Sequence, residues 1–151
     1  MDSSSISHIA VCVRDLDKSL GFYRDILGMK VEADQMQDTT SGSLPYVHKH
    51  QRKGRRQVRL AFADGAKPTL TMTCHPREES DGEAIKLDQI GISHISFTVT
   101  DVKALAQELI SKDVQLAGPL EGFTNARGEV SSIFVYDPDG ILVQFDSGGG
   151  G

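Results

Sequence analysis

The chain alternates apolar and polar positions in short runs, and helical stretches separate the runs. From His8 to Val13, Ile9, Val11 and Val13 fall on one side of an extended segment, and His8, Ala10 and Cys12 on the other. A two-residue period of this kind predicts a half-buried strand. Asp15 then stands where a helix N-cap is wanted, and Asp17 suits the positive end of the helix dipole. Leu16, Leu20, Tyr23 and Leu27 recur at helical spacing. Gly28 is placed to end that helix in the left-handed conformation. Met29–Ala33 reads as a second strand, and further strands are expected near Val58–Phe62 and Leu70–Cys74.

The same pattern returns later. Ile6 to Asp15 (ISHIAVCVRD) lies on Ile92 to Asp101 (ISHISFTVTD) with six of ten positions identical. Both segments lead into a helical pattern, which marks a duplication. In the second copy the strand His94–Thr100 is capped by Asp101. Its helix is expected to bury Val102, Leu105, Leu109 and Ile110. Val114–Ala117, Ile133–Tyr136 and Ile141–Phe145 are the remaining expected strands. The last two are joined by Asp137-Pro138-Asp139-Gly140, which has the Pro and Gly of a tight turn. The expected fold is therefore α+β, with two tandem βαβββ modules. Module 1 spans about 6–76, a polar linker about 77–90, module 2 about 91–146, and a glycine tail 147–151, all within a single domain.

Composition narrows the function classes. With 151 residues, one domain can bury a core without staples. A net charge of −5 argues against bulk attraction to nucleic acid or an anionic membrane. No apolar run approaches the ~20 residues of a membrane span. The amino terminus lacks the basic and apolar regions of a signal peptide. Cys12 and Cys74, without CxxC spacing, read as reduced thiols of a cytoplasmic protein. No P-loop or GxGxxG run points to a nucleotide cofactor.

Strand phase assigns faces. Ile9, Val11, Val13, Leu70, Met72, Cys74, Ile95, Phe97, Val99, Val143 and Phe145 should face helices. His8, Ala10, Cys12, Thr69, Thr71, Thr73, His75, His94, Ser96, Thr98, Leu142, Gln144 and Asp146 should face the other way. One oily and one polar face suit a mixed sheet curved into a cup, with helices on its outer face and ligand inside. Phe134 and Tyr136 are expected to line it and to stack on an aromatic ligand, with Tyr46 as a further contact. Cys12 reads as a small packing residue there. Between His48 and Arg59 stand six Lys/Arg and no acid. This segment reads either as a solvated loop or as a flap that attracts an anionic substrate. It has no apolar stripe, so neutralising Arg52, Lys53, Arg55 and Arg56 is expected to alter stability little.

Ser-His-Ile with downstream Val and Asp, the helix carrying Phe22-Tyr23-Arg24-Asp25-Ile26-Leu27-Gly28-Met29, and the Asp137-Pro138-Asp139-Gly140 turn recur in order from Ile6 to Asp146. This ordered set resembles the glyoxalase/bleomycin-resistance/extradiol-dioxygenase (vicinal oxygen chelate) superfamily. The resemblance implies a first-strand His and a last-strand Glu from each module around one divalent ion. Here those positions are His8 and His94, then Thr71 and Gln144. The metal set carried over is thus His8, His94 and Gln144, for Zn, Fe, Mn or Ni, without the usual carboxylates. The same three are the candidate catalytic residues, and Thr71, Tyr46, Phe134 and Tyr136 the candidate substrate contacts. His8 and His94 are expected to share one cavity. The resemblance also implies a homodimer. The implied activity is a small-molecule isomerase, epimerase, lyase or ring-cleavage enzyme acting through an enolate or oxyanion. The alternative is a protein that binds and sequesters a drug or metabolite without catalysis.

Overall fold

The computed structural model describes residues 1–148. The chain forms two compact units, Met1–Asp81 and the chain from Gly82 onward. Of the expected glycine tail, Gly149 to Gly151 lie outside the described residues. No helix among the described residues is long and apolar enough to cross a membrane.

The amino-terminal unit holds β1 (His8–Cys12), α1 (Leu16–Leu20), β2 (Lys30–Asp38), α2 (Leu44–Val47), β3 (Gly54–Ala61) and β4 (Thr69–Cys74). Its strands form a four-stranded sheet in the order β1-β4-β3-β2. The carboxy-terminal unit holds β5 (His94–Thr98), α3 (Val102–Ser111), β6 (Ser132–Tyr136) and β7 (Leu142–Asp146). Its three-stranded sheet has the order β5-β7-β6. Each unit pairs its first strand with its last in parallel, and the remaining pairs are antiparallel. The two mixed sheets repeat one register. His8 lies opposite Thr69 and Ala10 opposite Thr71. His94 lies opposite Leu142 and Ser96 opposite Gln144. Beyond the strands, Val13 N–H donates to the Thr73 carbonyl at 2.8 Å, and Val99 N–H to the Asp146 carbonyl at 2.8 Å.

The helix signals act as expected. Asp15 Oδ1 accepts from the backbone N–H of Asp17 at 3.0 Å and of Lys18 at 3.2 Å. Asp101 Oδ1 accepts from that of Ala104 at 2.9 Å. Both caps satisfy donors that a helix start leaves open. After α1 the chain widens into a π-helical turn over Gly21–Ile26. The wider turn lets two successive aromatics, Phe22 and Tyr23, both point inward. Their rings meet edge to face at 4.8 Å. Leu27 is left half-buried, and Gly28 takes a positive φ of 77° as expected. In the last turn of the chain, Asp137 Oδ1 accepts from the N–H of Asp139 and of Ile141, both at 2.9 Å.

Four expectations are corrected. In α3 the buried residues are Val102, Ala106 and Leu109, whereas Leu105 is half-buried and Ile110 is exposed. The helix presents a narrower face than the apolar count implied. Val114–Ala117 makes no strand. It contributes an isolated bridge from Leu116 to Val135. β2 runs to Asp38, well past Ala33, because polar residues serve equally well where both faces are open. Finally, the basic segment is not a loop from end to end. Gly54 onward is β3, with Val58 and Leu60 fully buried.

Alternation therefore sends the arginines of β3 to opposite faces. Arg56 lies on the helix side. Its Nε and Nη2 donate to the two carboxylate oxygens of Asp34 at 2.9 and 2.8 Å, and its Nη1 to Asp17 at 2.9 Å. It thus ties the first turn of α1 to β2 and β3, and paired hydrogen bonds of this kind are the stronger sort of ion pair. Arg59 pairs with Glu32 at 3.0 Å, and Glu32 is the extra residue of a bulge in β2. Neutralising Arg56 is therefore expected to cost stability. The hydrogen bond from Arg56 holds the Asp34 carboxyl below its ordinary range. A carboxyl depressed in this way stabilises the fold above its unfolded pKa, and that stability is lost as pH falls through the folded value. Arg56→Gln is expected to cost about 1–2 kcal/mol at pH 7 in urea unfolding. The difference from wild type should shrink as the pH is taken below about 4. An unchanged midpoint at pH 7 would show that the tie carries no stability.

Candidate functional site

Each unit offers one polar sheet face that begins with a histidine. In the amino-terminal unit, His8, Ala10 and Cys12 of β1 share a face with Thr69, Thr71 and Thr73 of β4 and with Arg59 and Gln57 of β3. Thr71 and Thr73 are buried, because β4 is a central strand whose six residues are all covered. His8 is exposed at the strand's start, and Ser7 Oγ lies 2.9 Å from its Nδ1. Tyr46 belongs to α2 and not to the sheet, and it is 89% exposed.

In the carboxy-terminal unit the polar face carries His94 and Ser96, Leu142 and Gln144, and Phe134 and Tyr136. Of the expected site residues, this sheet brings His94, Gln144, Phe134 and Tyr136 to one side. Ser93 Oγ lies 2.8 Å from His94 Nδ1, and the His94 ring meets Phe134 edge to face at 5.2 Å. Gln144 is buried at 6% exposure between Ser96 and Phe134. Asp146 is the carboxylate on these strands' polar side, and both its oxygens are engaged. Ser96 donates to one at 2.8 Å and Gly148 N–H to the other at 2.7 Å. Tyr136 is less available than strand phase suggests. Lys86 Nζ donates to its hydroxyl at 3.1 Å and lies 4.4 Å from the ring centroid. The segment expected to be a plain linker thus packs on the sheet. The opposite face is core, with Phe97 stacked on Phe145 at 5.8 Å.

Ser-His therefore recurs as a structural unit. In both copies a hydroxyl engages Nδ1, which fixes the ring and leaves Nε2 as the nitrogen for a ligand. A partner on one ring nitrogen is how proteins select the role of the other.

A divalent ion finds a poor donor set here. The positions that would supply carboxylates hold the Thr71 hydroxyl and the Gln144 amide, both buried. Among the described residues, no group of three or more His, Cys, Asp or Glu side chains could hold a metal ion. Neutral imidazole, hydroxyl and amide donors leave a double charge uncompensated, and hard ions bind carboxylates in preference. The residues present do not fit the carboxylate-bearing centre.

The amino-terminal unit also holds a cavity of about 370 Å³ at the far end of β1 and β4. Cys12, His48, His75, Arg52 and Arg55 are among its walls. Cys12 is exposed and has neighbours that the packing assignment did not foresee, His75 at 4.0 Å and Ser80 at 3.9 Å. His75 was legible, since it continues the polar phase of β4. His48 follows a short helix that no periodicity announces.

Comparison with known proteins places the chain. The family model of the Glyoxalase/Bleomycin resistance protein/Dioxygenase superfamily matches residues 5–145. The lactoylglutathione lyase of Haemophilus influenzae is 28% identical over 143 residues, covering 93% of this chain and 90% of that protein. The trypanothione-dependent glyoxalase I of Leishmania major has a similar structure, with a TM-score of 0.66 and 26% identity over 95% of this chain and 86% of that one. A glyoxalase family protein from Bacillus cereus shares the fold at a TM-score of 0.72 and 17% identity, over 96% of this chain and 94% of that one. Duplicated register, duplicated Ser-His strand and family match agree: the chain belongs to the Glyoxalase/Bleomycin resistance protein/Dioxygenase superfamily.

Proposed function

We propose that the protein is an enzyme of isomerase, epimerase, lyase or ring-cleavage type that acts on a small oxygenated molecule through an enolate or related oxyanion. His8 and His94 are its proton-transfer groups. The observation that carries this reading is the Ser-His arrangement, present in both repeats with Oγ to Nδ1 distances of 2.9 and 2.8 Å. Packing alone has no need of an oriented imidazole at the open start of each sheet. Imidazole exchanges protons near neutral pH, and a positioned one contributes about 10²–10⁴-fold to proton transfer. Gln144, on the sheet face of His94, supplies a neutral donor for a developing oxyanion, and Thr71 does so on the sheet face of His8. Phe134 gives His94 an apolar wall and offers a ring edge to the substrate.

The name of the similar lyases suggests the probe. S-Lactoylglutathione has a hydrogen on the carbon beside its thioester carbonyl, and enolate formation exchanges that hydrogen with solvent. In D2O the protein is expected to catalyse its replacement by deuterium, followed by NMR. His8→Ala and His94→Ala should each slow the exchange by about 100-fold. A wild-type protein that binds the thioester without exchange would sink the enzyme reading.

The missing carboxylates favour a second reading, in which the polar faces bind and sequester a small molecule without turning it over. Gln144→Glu bears on both readings and on the metal. On the metal-independent account, the variant buries an unneeded charge. Ligand affinity or turnover should fall about tenfold, and affinity for Zn²⁺ or Ni²⁺ should stay as in wild type. A rise in metal affinity of tenfold or more, by calorimetric titration, would instead reveal a weakened metal centre.

A further inference from the structure

Cys12 and His8 lie on the same face of β1, about 13 Å apart along the strand. The cavity at the Cys12 end is therefore a separate piece of chemistry from the duplicated histidines. It belongs to this unit alone. By register, Cys12 and His75 correspond to Thr98 and Gly148 in the other repeat. The fold does not require them.

The contacts in this cavity determine where the protons sit. His48 Nδ1 lies 2.7 Å from the carbonyl oxygen of Leu44. A carbonyl only accepts, so His48 carries its proton on Nδ1 and, when neutral, presents a bare Nε2. His75 Nε2 lies 3.4 Å from that bare nitrogen, so His75 carries its proton on Nε2. Its Nδ1 is then bare and faces the Cys12 sulfur at 4.0 Å. The thiol proton is the one left to fill this last contact. Burial, with the charge of Arg52, holds the His75 imidazole below its ordinary range, which favours the neutral form at pH 7. The Ser80 hydroxyl oxygen, 3.9 Å from the sulfur, is a second acceptor within reach of the Cys12 thiol.

The walls are cationic, and the cations are unequally compensated. Lys49 pairs with Asp81 at 2.5 Å. Arg52 donates to the Glu79 carbonyl at 2.8 Å and lies 3.8 Å from the Glu78 carboxylate. Arg55 is held by the neutral amide of Gln37 at 2.7 Å, so its charge acts on the cavity.

We propose that Cys12 is a nucleophilic thiol, with His75 as its base and His48 orienting that base, and that the cavity takes a small electrophile carrying an anionic group. The sulfur bonds to the electrophilic carbon as its proton passes to His75 Nδ1. With an aldehyde, the displaced C=O pair ends on oxygen and takes that proton back. The addition therefore balances without another reactant. A cationic neighbourhood and an adjacent base are what raise cysteine reactivity.

The test uses the whole protein at pH 7 with EDTA, and mass spectrometry to resolve the two cysteines. With iodoacetamide the S–C bond forms, iodide leaves and the proton goes to His75. Cys12 is expected to react roughly tenfold faster than N-acetylcysteine. Cys74 is buried, and burial pushes its thiol up, so it should lag. His75→Ala should return Cys12 to the free-thiol rate, and added imidazole should restore part of the loss, which a packing role would not show. Iodoacetate should be favoured relative to iodoacetamide more than it is by N-acetylcysteine. Salt should erode that preference, and so should Arg55→Gln. A wild-type Cys12 no faster than N-acetylcysteine overturns the proposal, even if His75→Ala fails to fold. A fast Cys12 indifferent to His75→Ala overturns the assignment of the base. Neither residue enters the deuterium exchange proposed for His8 and His94, so the two readings fail separately.

Discussion

The parallel pairing of first with last strand in each repeat is the constraint on which the rest depends. A parallel pair needs a crossover, and here the crossover carries a helix that covers one side of the sheet. That side must be apolar, and the two-residue period then makes the other side whatever the remaining residues are. The register places His8 beside Thr69 and His94 beside Leu142, so Thr71 and Gln144 take the same relation to the two histidines. A slip of one residue in β1 or β5 would turn its imidazole toward a helix and carry Val11 or Phe97 to the polar face.

The same alternation decides what the basic segment does. Arg56 turns toward α1 and fastens it to the sheet, while Arg55 and Arg59 turn to the polar face. A run of cations that looks uniform in one dimension thus serves two purposes. One charge locks the helix in place. Arg55, with Lys49 and Arg52 from earlier in the same segment, lines a cavity that contains a thiol. The choice between solvated loop and anion-attracting flap was too simple for this segment, because strand formation divides it.

Much of this was legible in the residues. The Ile-Ser-His repeat, the Asp15 and Asp101 caps, Gly28 and the Asp137 turn each have a local cause, and each acts in the structure as its chemistry dictates. Features that escaped have non-local causes. Ile110 is exposed because the face of α3 is narrower than its apolar count. Leu116 bridges without making a strand because only its immediate neighbours pair with β6. His48 reaches His75 through a turn of α2 whose position depends on where β2 ends and β3 begins. Cys12 looked inert because its partner is 63 positions away.

The superfamily's fold is therefore kept while the donor set has changed. Carboxylates are absent from the two last-strand positions, and oriented imidazoles remain at the two first-strand positions. If those imidazoles are the working groups, a ligand must be felt at both. Long-range ¹H–¹⁵N correlation spectra report each ring nitrogen separately, and S-lactoylglutathione is a suitable probe. The account predicts that the thioester shifts the Nε2 signal of His8 and that of His94, each saturably. Nε2 signals that stay in place while the thioester binds elsewhere would contradict it.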